Sequence, residues 1–509
     1  MINTLRKMIS PWTVYTILLA ALLATPNSQA ANESAQPSSN ASQQEHLVIL
    51  HINDTHGQLS SHMVNGHSVG GIARLAELVK QVRQENPGRV LLADAGDVFS
   101  RGDAVTSYYG GQANFDLMNR VGYDAMVLGN GDYYFGIDNL RQRIAEANFT
   151  ILAGNIFQTV GKESKAVGQD FVVKKVGPLR IGLLGLSLIS PDHASSGNLQ
   201  TGPNLTLAKK WISQLQGQTD LVVLLSHQGL PADTMLGGLL GGVNIIIGGH
   251  THTVLNEPLI IRRPGGSPDK TYIVQAGAFY EYLGRIDLKF ASSDGQSWQV
   301  TEISSRLIPI DDTIAADAEI AKQLEEYRRN LAEVICQASE PIPARGPGEN
   351  TVAHLALKAI GQEFPGCVIL LDRGAIRAGI NKGDVTRLDI ARIHPWRNQL
   401  LKTSITAAQL RQALAEPGLL WSGCSFQRLG NEISNLQIAG VTVSDNQEVQ
   451  LVLGELVLSK SKTLSNIKCQ PTSKRVDALL EAYLRRLGQL APQTQTINQP
   501  PSRQASLSP

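Results

Sequence analysis

Short apolar runs rich in β-branched residues recur along the first part of the chain: Leu47–Ile52, Val90–Ala93, Ala125–Leu128, Ile181–Leu186, Leu221–Leu225, Asn244–Ile247 and Tyr272–Val274. Runs of this length with little polar alternation are the pattern of strands buried on both faces. Between the first two runs, Ile72, Leu75, Leu78, Val79 and Val82 fall at helical spacing, and Pro87-Gly88 ends that helix. The pattern predicts an α/β block. From about Asp317 to Val334 acidic and basic residues occupy most faces of a helical stretch, which reads as a solvated connector. A second block of mixed α and β patterning follows. The Ser/Asn/Gln-rich stretch near the start and the Pro/Gln/Ser-rich stretch at the end carry no periodicity and read as a tether and a tail. The expected organisation is a signal segment over 1–30, a tether over 31–45, an α/β domain over 46–310, a linker helix over 311–335, a mixed α+β domain over 336–490 and a disordered tail over 491–509.

Charge narrows the function. The 509 residues hold 45 Lys+Arg and 44 Asp+Glu, a formal net charge of +1, which argues against a nucleic-acid partner. At the N-terminus Arg6 and Lys7 precede an apolar run from Trp12 to Ala24, and Ser28-Gln29-Ala30 offers small residues for cleavage before Ala31. That is the layout of a secretory signal peptide, too short for a comfortable span. An exported protein, periplasmic or secreted, with no stable membrane insertion after cleavage, is expected. The four cysteines (Cys336, Cys367, Cys424, Cys469) lack CxxC spacing, so a zinc-thiolate site is not indicated. In an oxidising compartment they allow two disulfides in any of three connectivities.

The chemistry lies at the ends of the predicted strands. The first run ends in Asn53-Asp54-Thr55-His56-Gly57, the second in Asp94-Ala95-Gly96-Asp97, the third in Gly129-Asn130-Gly131-Asp132. Ser226-His227 closes a later run and Gly248-Gly249-His250-Thr251-His252 another. Ligands in α/β sheets bind outside the carboxyl ends of strands, so these tips converge on one site. Asp, His and Asn offer oxygen and imidazole nitrogen to Zn, Mn, Fe, Co or Ni. Asp54, His56, Asp97, Asn130, His227, His250 and His252 are too many for one tetrahedral zinc and enough for two ions if one carboxylate bridges. Two divalent ions (Zn, Mn or similar) about 4 Å apart lower the pKa of a bound water and make hydroxide available near neutral pH.

INDTHGQL, DAGDVFSRG, LLSHQGL and GGHTHT resemble, in order, the motifs of the 5′-nucleotidase and UDP-sugar hydrolase family. GGIARLAELV at Gly70–Val79 and VQAGAFYEYLGRIDL at Val274–Leu288 extend the similarity. The resemblance implies a secreted dinuclear metallophosphoesterase: a four-layer αββα metallophosphatase domain, calcineurin-like, then a mixed α+β C-terminal substrate domain. It further implies Asp54, His56, Asp97 and His252 around one metal and Asp97, Asn130, His227 and His250 around the other, with Asp97 bridging. The implied substrate is a small phosphoester, a nucleotide among the candidates.

Several positions depart from the family. Its third motif reads Gly-Asn-His-Glu-Phe-Asp, where this chain has GNGDYY at Gly129–Tyr134. The histidine that serves the transition state is Gly131 here, and the aspartate that orients it is Tyr134. Losing such a group costs roughly 10²–10⁴-fold in rate. Asn130, Asp132 and Tyr134 are the catalytic candidates that remain, with Tyr133 beside them. In the second block LLDRGAIRAGINKGDVT at Leu370–Thr386 resembles the segment whose arginine meets substrate phosphate or carboxylate groups, here Arg377. HPWRNQL at His394–Leu400 resembles a Pro-Phe-x-Asn motif, placing Trp396 as a stacking ring and Asn398 as a substrate contact. The opposing aromatic has no counterpart in ELVLSKSKTLSNIKCQ at Glu455–Gln470. Three readings follow: a phosphoester hydrolase with an altered active site, a metal-bearing binding protein that has lost catalysis, or a thiosulfohydrolase-like hydrolase of a non-phosphate bond.

Overall fold

A computed structural model describes residues 42–99, 103–190, 198–263, 269–346, 350–395, 397 and 399–490. The expected signal segment, residues 31–41 of the expected tether, the tail, Trp396 and Asn398 lie outside the described residues. The last tether positions, Gln43–Glu45, instead open the strand Gln43–Ile52, pairing with Phe290–Ser292.

Every apolar run becomes a strand, with ends shifted by a few residues at most. The first block contains two six-stranded sheets. One runs Gln299–Pro309, Tyr282–Ser292, Gln43–Ile52, Val90–Asp94, Ala125–Val127, Thr150–Leu152; the other runs Leu259–Arg262, Lys270–Val274, Ile245–Gly248, Leu221–Ser226, Leu179–Leu186, Phe171–Val176. Their continuous hydrophobicity is explained by what each face meets. Leu47, Ile49, Leu91, Ala93 and Val127 of the first sheet pack on Ile181, Leu183, Val223, Leu225 and Ile247 of the second. The intervening residues Val48, Leu50, Leu92 and Met126 face outward onto Leu75, Val79 and Met118 of the helices Ile72–Glu85 and Gln112–Val121. On the far side Leu184, Val222, Leu224 and Ile246 cover Trp211, Leu215 and Leu236 of the helices Asn204–Leu215 and Leu230–Leu239. The layers are therefore helix, sheet, sheet, helix. Full burial of such a side chain contributes about 1.5–3 kcal/mol, so the strands form a stiff platform for the loops that leave them. Gln43–Ile52, Val90–Asp94, Ala125–Val127 and Thr150–Leu152 pair in parallel, as do Leu179–Leu186, Leu221–Ser226, Ile245–Gly248 and Lys270–Val274. Parallel pairing sends the carboxyl ends of each set to a common edge.

The helix Ala318–Leu331 is not a solvated connector. Ile320, Leu324 and Leu331 are buried in the core of the first block, and Tyr327 donates to Asp116 at 3.1 Å. An apolar stripe at spacings of four and seven residues was present, masked by the charges around it.

The second block is built on the sheet Leu419–Ser422, Val368–Asp372, Glu448–Gly454, Gln399–Thr406, Gln470–Arg475. Ile369 and Leu371 face the helices Val352–Glu363 and Val476–Leu487, while Val368 and Leu370 face the helix Ala407–Ala415. All four cysteines are free thiols, so none of the disulfides that the sequence allows is formed. The blocks meet where the Arg397 guanidinium lies 5.0 Å from the centre of the Tyr108 ring, beside a cleft of about 820 Å³. Among the described residues no helix is long and apolar enough to cross a membrane.

Candidate metal centre

The polar tips that follow the parallel strands come together at one edge, and the backbone bends sharply to bring them there. Asp54, His56, Asp97, His250 and His252 adopt φ of 52°, 49°, 61°, 74° and 54°. Left-handed backbone costs a non-glycine residue roughly 1–2 kcal/mol, and its concentration in five of seven candidate ligands marks a site over-determined by its surroundings. Glycine supplies the room. A Cβ on Gly129 would stand 2.2 Å from Asp97 Oδ1, and one on Gly249 would stand 2.8 Å from His227 Nδ1.

Two triads overlap. Asp54, His56 and His252 each offer a ligand atom within 4.8 Å of the others, as do Asp54, Asp97 and His227. His252 Nε2 lies 3.4 Å and His56 Nε2 3.7 Å from Asp54 Oδ1, and the two Nε2 atoms stand 2.8 Å apart. On the other side His227 Nε2 is 3.8 Å from Asp54 Oδ1 and 3.4 Å from Asp97 Oδ1. Asp54 is thus the residue common to both triads. Asp97 also reaches both sides, its Oδ2 being 3.8 Å from His56 Nδ1. The His250 ring stands 5.3 Å from that of His227, centre to centre.

A cation fits this geometry better than hydrogen bonding does. Asp54 Oδ1, Asn130 Oδ1 and His227 Nε2 are buried and have no hydrogen-bond partner among the described residues. Each such group costs about 1–3 kcal/mol when left unsatisfied. The two oxygens carry lone pairs suited to a divalent ion, and His227 Nε2 offers one when its imidazole is neutral.

Neighbouring groups fix how these side chains present themselves. His227 Nδ1 lies 2.6 Å from the Ala95 carbonyl; donating there leaves Nε2 as the free lone pair. Asp54 Oδ2 accepts from the Asn53 amide and from the His250 backbone N–H, both at 2.8 Å, which turns Oδ1 inward. Asp132 has a different job from the catalytic one considered for it. It is fully buried, and its carboxylate accepts from the backbone N–H groups of Asp97, Val98, Phe99 and Gly129. It ties the second loop to the third. Asp132→Ala strands four buried donors and should lower unfolding free energy by at least about 3 kcal/mol, measured by urea denaturation; a change below about 1 kcal/mol would contradict this role.

Charge coupling governs the metal-free state. Burial alone would lower the pKa of His227, but Asp97 and Asp54 overrule it and raise the value to about 10. Burial alone would likewise raise Asp97, but the His227 imidazolium holds it below its ordinary value. Burial pushes His56 and His250 down. A raised histidine pKa contributes stability that is complete below about pH 6.5, the unfolded value, and is lost as pH rises through about 10. A cation needs the neutral imidazole, so metal uptake at pH 7 should expel a proton from His227 and affinity should rise with pH. Calorimetry in buffers of different ionisation enthalpy measures this; the expected release is about one proton from this residue, and metal uptake without proton release would contradict the assignment.

Other expected site residues lie elsewhere or outside view. Arg377 is exposed, its backbone N–H donating to Ile393 at 2.8 Å, and it is not among the residues lining the cleft. Trp396 and Asn398 lie outside the described residues. Tyr134 lines the cleft and accepts from the Asn130 amide at 3.1 Å. Tyr133 is fully buried and hydrogen-bonded to Ser187. Sequence reasoning passed over Asn53 and Phe279. The Phe279 ring stands 5.5 Å from His56 and 5.8 Å from His252, walling the histidine pair. Its place within the Val274–Leu288 segment was the available signal.

Known proteins with this pattern follow from comparison. Residues 47–254 match the calcineurin-like phosphoesterase family, and residues 333–477 match the 5′-nucleotidase, C-terminal domain. Human 5′-nucleotidase is 31% identical over 456 residues, covering 78% of this chain and 75% of that protein. The trifunctional nucleotide phosphoesterase protein YfkN of Bacillus subtilis (strain 168) is 26% identical over 420 residues, 73% of this chain, and this chain spans 27% of that protein's length. In fold, the chain is similar to the crystal structure of a 5′-nucleotidase precursor from Thermus thermophilus, with a TM-score of 0.54 and 22% identity, covering 90% of this chain and 100% of that one.

Proposed function

Because the chain belongs to the 5′-nucleotidase family of metal-dependent phosphoester hydrolases, we propose that it hydrolyses a small phosphoester, with nucleotides as the first class to test, using two divalent cations. Asp54, His56, Asp97 and His252 would hold one cation, and Asp97, Asn130, His227 and His250 the other. The observation that carries this reading is one cluster of Asp and His side chains, with Asp97 reaching both His56 and His227, that holds three orphaned buried ligand atoms. Cations bound there supply Lewis-acid activation of water and stabilisation of charge on the phosphoryl group. The protein's own part is to hold the ligands in strained, preset positions and, through the Ala95 carbonyl at Nδ1, to make Nε2 the nitrogen that neutral His227 offers.

What the chain lacks shapes the rate. Gly131 contributes a backbone N–H to Asp97 Oδ1, at 2.6 Å, and no imidazole. Asp132 and Tyr133 are committed to the interior and do not replace it. Hydrolysis is therefore slow, favouring esters with good leaving groups. The same absence supports the second reading, a cation-bearing protein that binds its ligand without turning it over. Export to the periplasm or beyond is proposed from the charged and apolar N-terminal pattern.

Protein loaded with Mn²⁺ or Zn²⁺ should release product from p-nitrophenyl phosphate and from members of a nucleotide panel. Turnover no greater than that of Asp97→Ala would overturn the hydrolase reading, and tight nucleotide binding without product would establish the second one.

A further inference from the structure

Resting on the two-cation reading, we infer that Tyr134 is a positioning residue for Asn130, holding its amide so that the oxygen is presented to the cation site before any ion arrives. Asn130 opens the short 3₁₀ turn Asn130–Tyr133, and Tyr134 follows it with αR backbone, φ −66° and ψ −24°. That turn brings the tyrosine hydroxyl back to the asparagine, whose Nδ2 donates to it at 3.1 Å. The amide nitrogen is thereby held on the side of Tyr134, and Oδ1 is left buried with no hydrogen-bond partner among the described residues.

An amide has two faces of opposite character. Its oxygen can ligate a cation; its NH₂ group cannot. A free asparagine side chain would sample several rotamers, and choosing one costs free energy when the ion binds. A hydrogen bond at the nitrogen settles that choice in advance, as outer groups do for other metal ligands. The rest of the turn cannot do the same work. The Gly131 N–H is engaged by Asp97, Asp132 accepts from four backbone groups, and the Tyr133 hydroxyl is bonded to Ser187. Tyr134, the residue that caps the turn, is the one whose side chain receives the Asn130 amide among the described residues.

The expected consequence is a change in metal affinity rather than in chemistry alone. Tyr134→Phe keeps the ring on the cleft wall and removes only the hydroxyl. Calorimetric titration of metal-free protein with Mn²⁺ should show two uptake events in the wild type, the weaker falling in affinity by about 10–100-fold in Tyr134→Phe. With Co²⁺ the visible spectrum of the second ion should shift as its oxygen ligand is loosened. Because the effect acts through Asn130, Tyr134→Phe should change nothing further in an Asn130→Ala background. Affinities within twofold of wild type would overturn the inference, and so would an equal loss in the Asn130→Ala background, which would make Tyr134 act directly. A wild type that takes up fewer than two ions would overturn the two-cation reading instead, and this inference with it.

Discussion

Gly131→His combined with Tyr134→Asp is expected to raise kcat/KM for nucleotide hydrolysis by about 10²–10⁴-fold. The expectation rests on position. Gly131 lies in the turn that carries Asn130, and it is outside the left-handed region, so an L side chain is tolerated by the backbone. Its N–H already anchors to Asp97, so a side chain added here starts beside the candidate ligands. An imidazole there can stabilise charge or carry a proton for the leaving group, work that no other member of this turn is free to do. Gly131→His alone keeps the Tyr134–Asn130 hydrogen bond and separates the two effects. The single variant should gain part of the rate, and the double variant more if the new carboxylate orients the ring. Steady-state kinetics on a nucleotide panel decide it. If neither variant gains on any nucleotide, the second block has diverged from nucleotide substrates too.

Asp54→Asn carries the largest expected loss. Asp54 is the residue shared by both triads, its Oδ1 lying within 3.8 Å of His227 Nε2 and 3.4 Å of His252 Nε2. The amide keeps an acceptor for the Asn53 or His250 donor that Oδ2 now serves, so the loops should remain in place. The charge that offsets the cations is removed. Activity should fall by about 10³-fold or more, while the metal-free protein keeps its fold and loses only the stability that the Asp54 charge lends the His227 imidazolium. Preserved activity would show that Asp54 is a structural anchor and not a cation ligand.

Much of this arrangement is legible before folding. The runs that become Gln43–Ile52, Val90–Asp94, Leu221–Ser226 and Ile245–Gly248 are hydrophobic on both faces because each face meets a different core. Parallel strands put their ends at one edge, so Asp54, Asp97, His227 and His252 could be read as neighbours although almost 200 residues separate the first from the last. Other features depend on tertiary contacts and leave no local mark. Asp132 looks like any acidic residue in a turn until four backbone donors surround it. Phe279 reaches the histidine pair from a segment distant in sequence, by way of a backbone N–H bond to the Asp54 carbonyl at 2.9 Å. The stripe of Ile320, Leu324 and Leu331 was hidden because charge on neighbouring faces dominates a helix that buries only a narrow seam. The cysteines show the limit of spacing arguments: an even number permits disulfides but does not bring sulfur atoms together.

The central claim is that one edge of the first block gathers two cations. Metal-free protein reconstituted with Mn²⁺ or Zn²⁺, freed of loose ions by gel filtration and analysed for metal content, tests it most directly. The account predicts two ions per wild-type chain and a clear fall in Asp54→Asn. A folded wild type that retains no ion, or a content unchanged by Asp54→Asn, would contradict it.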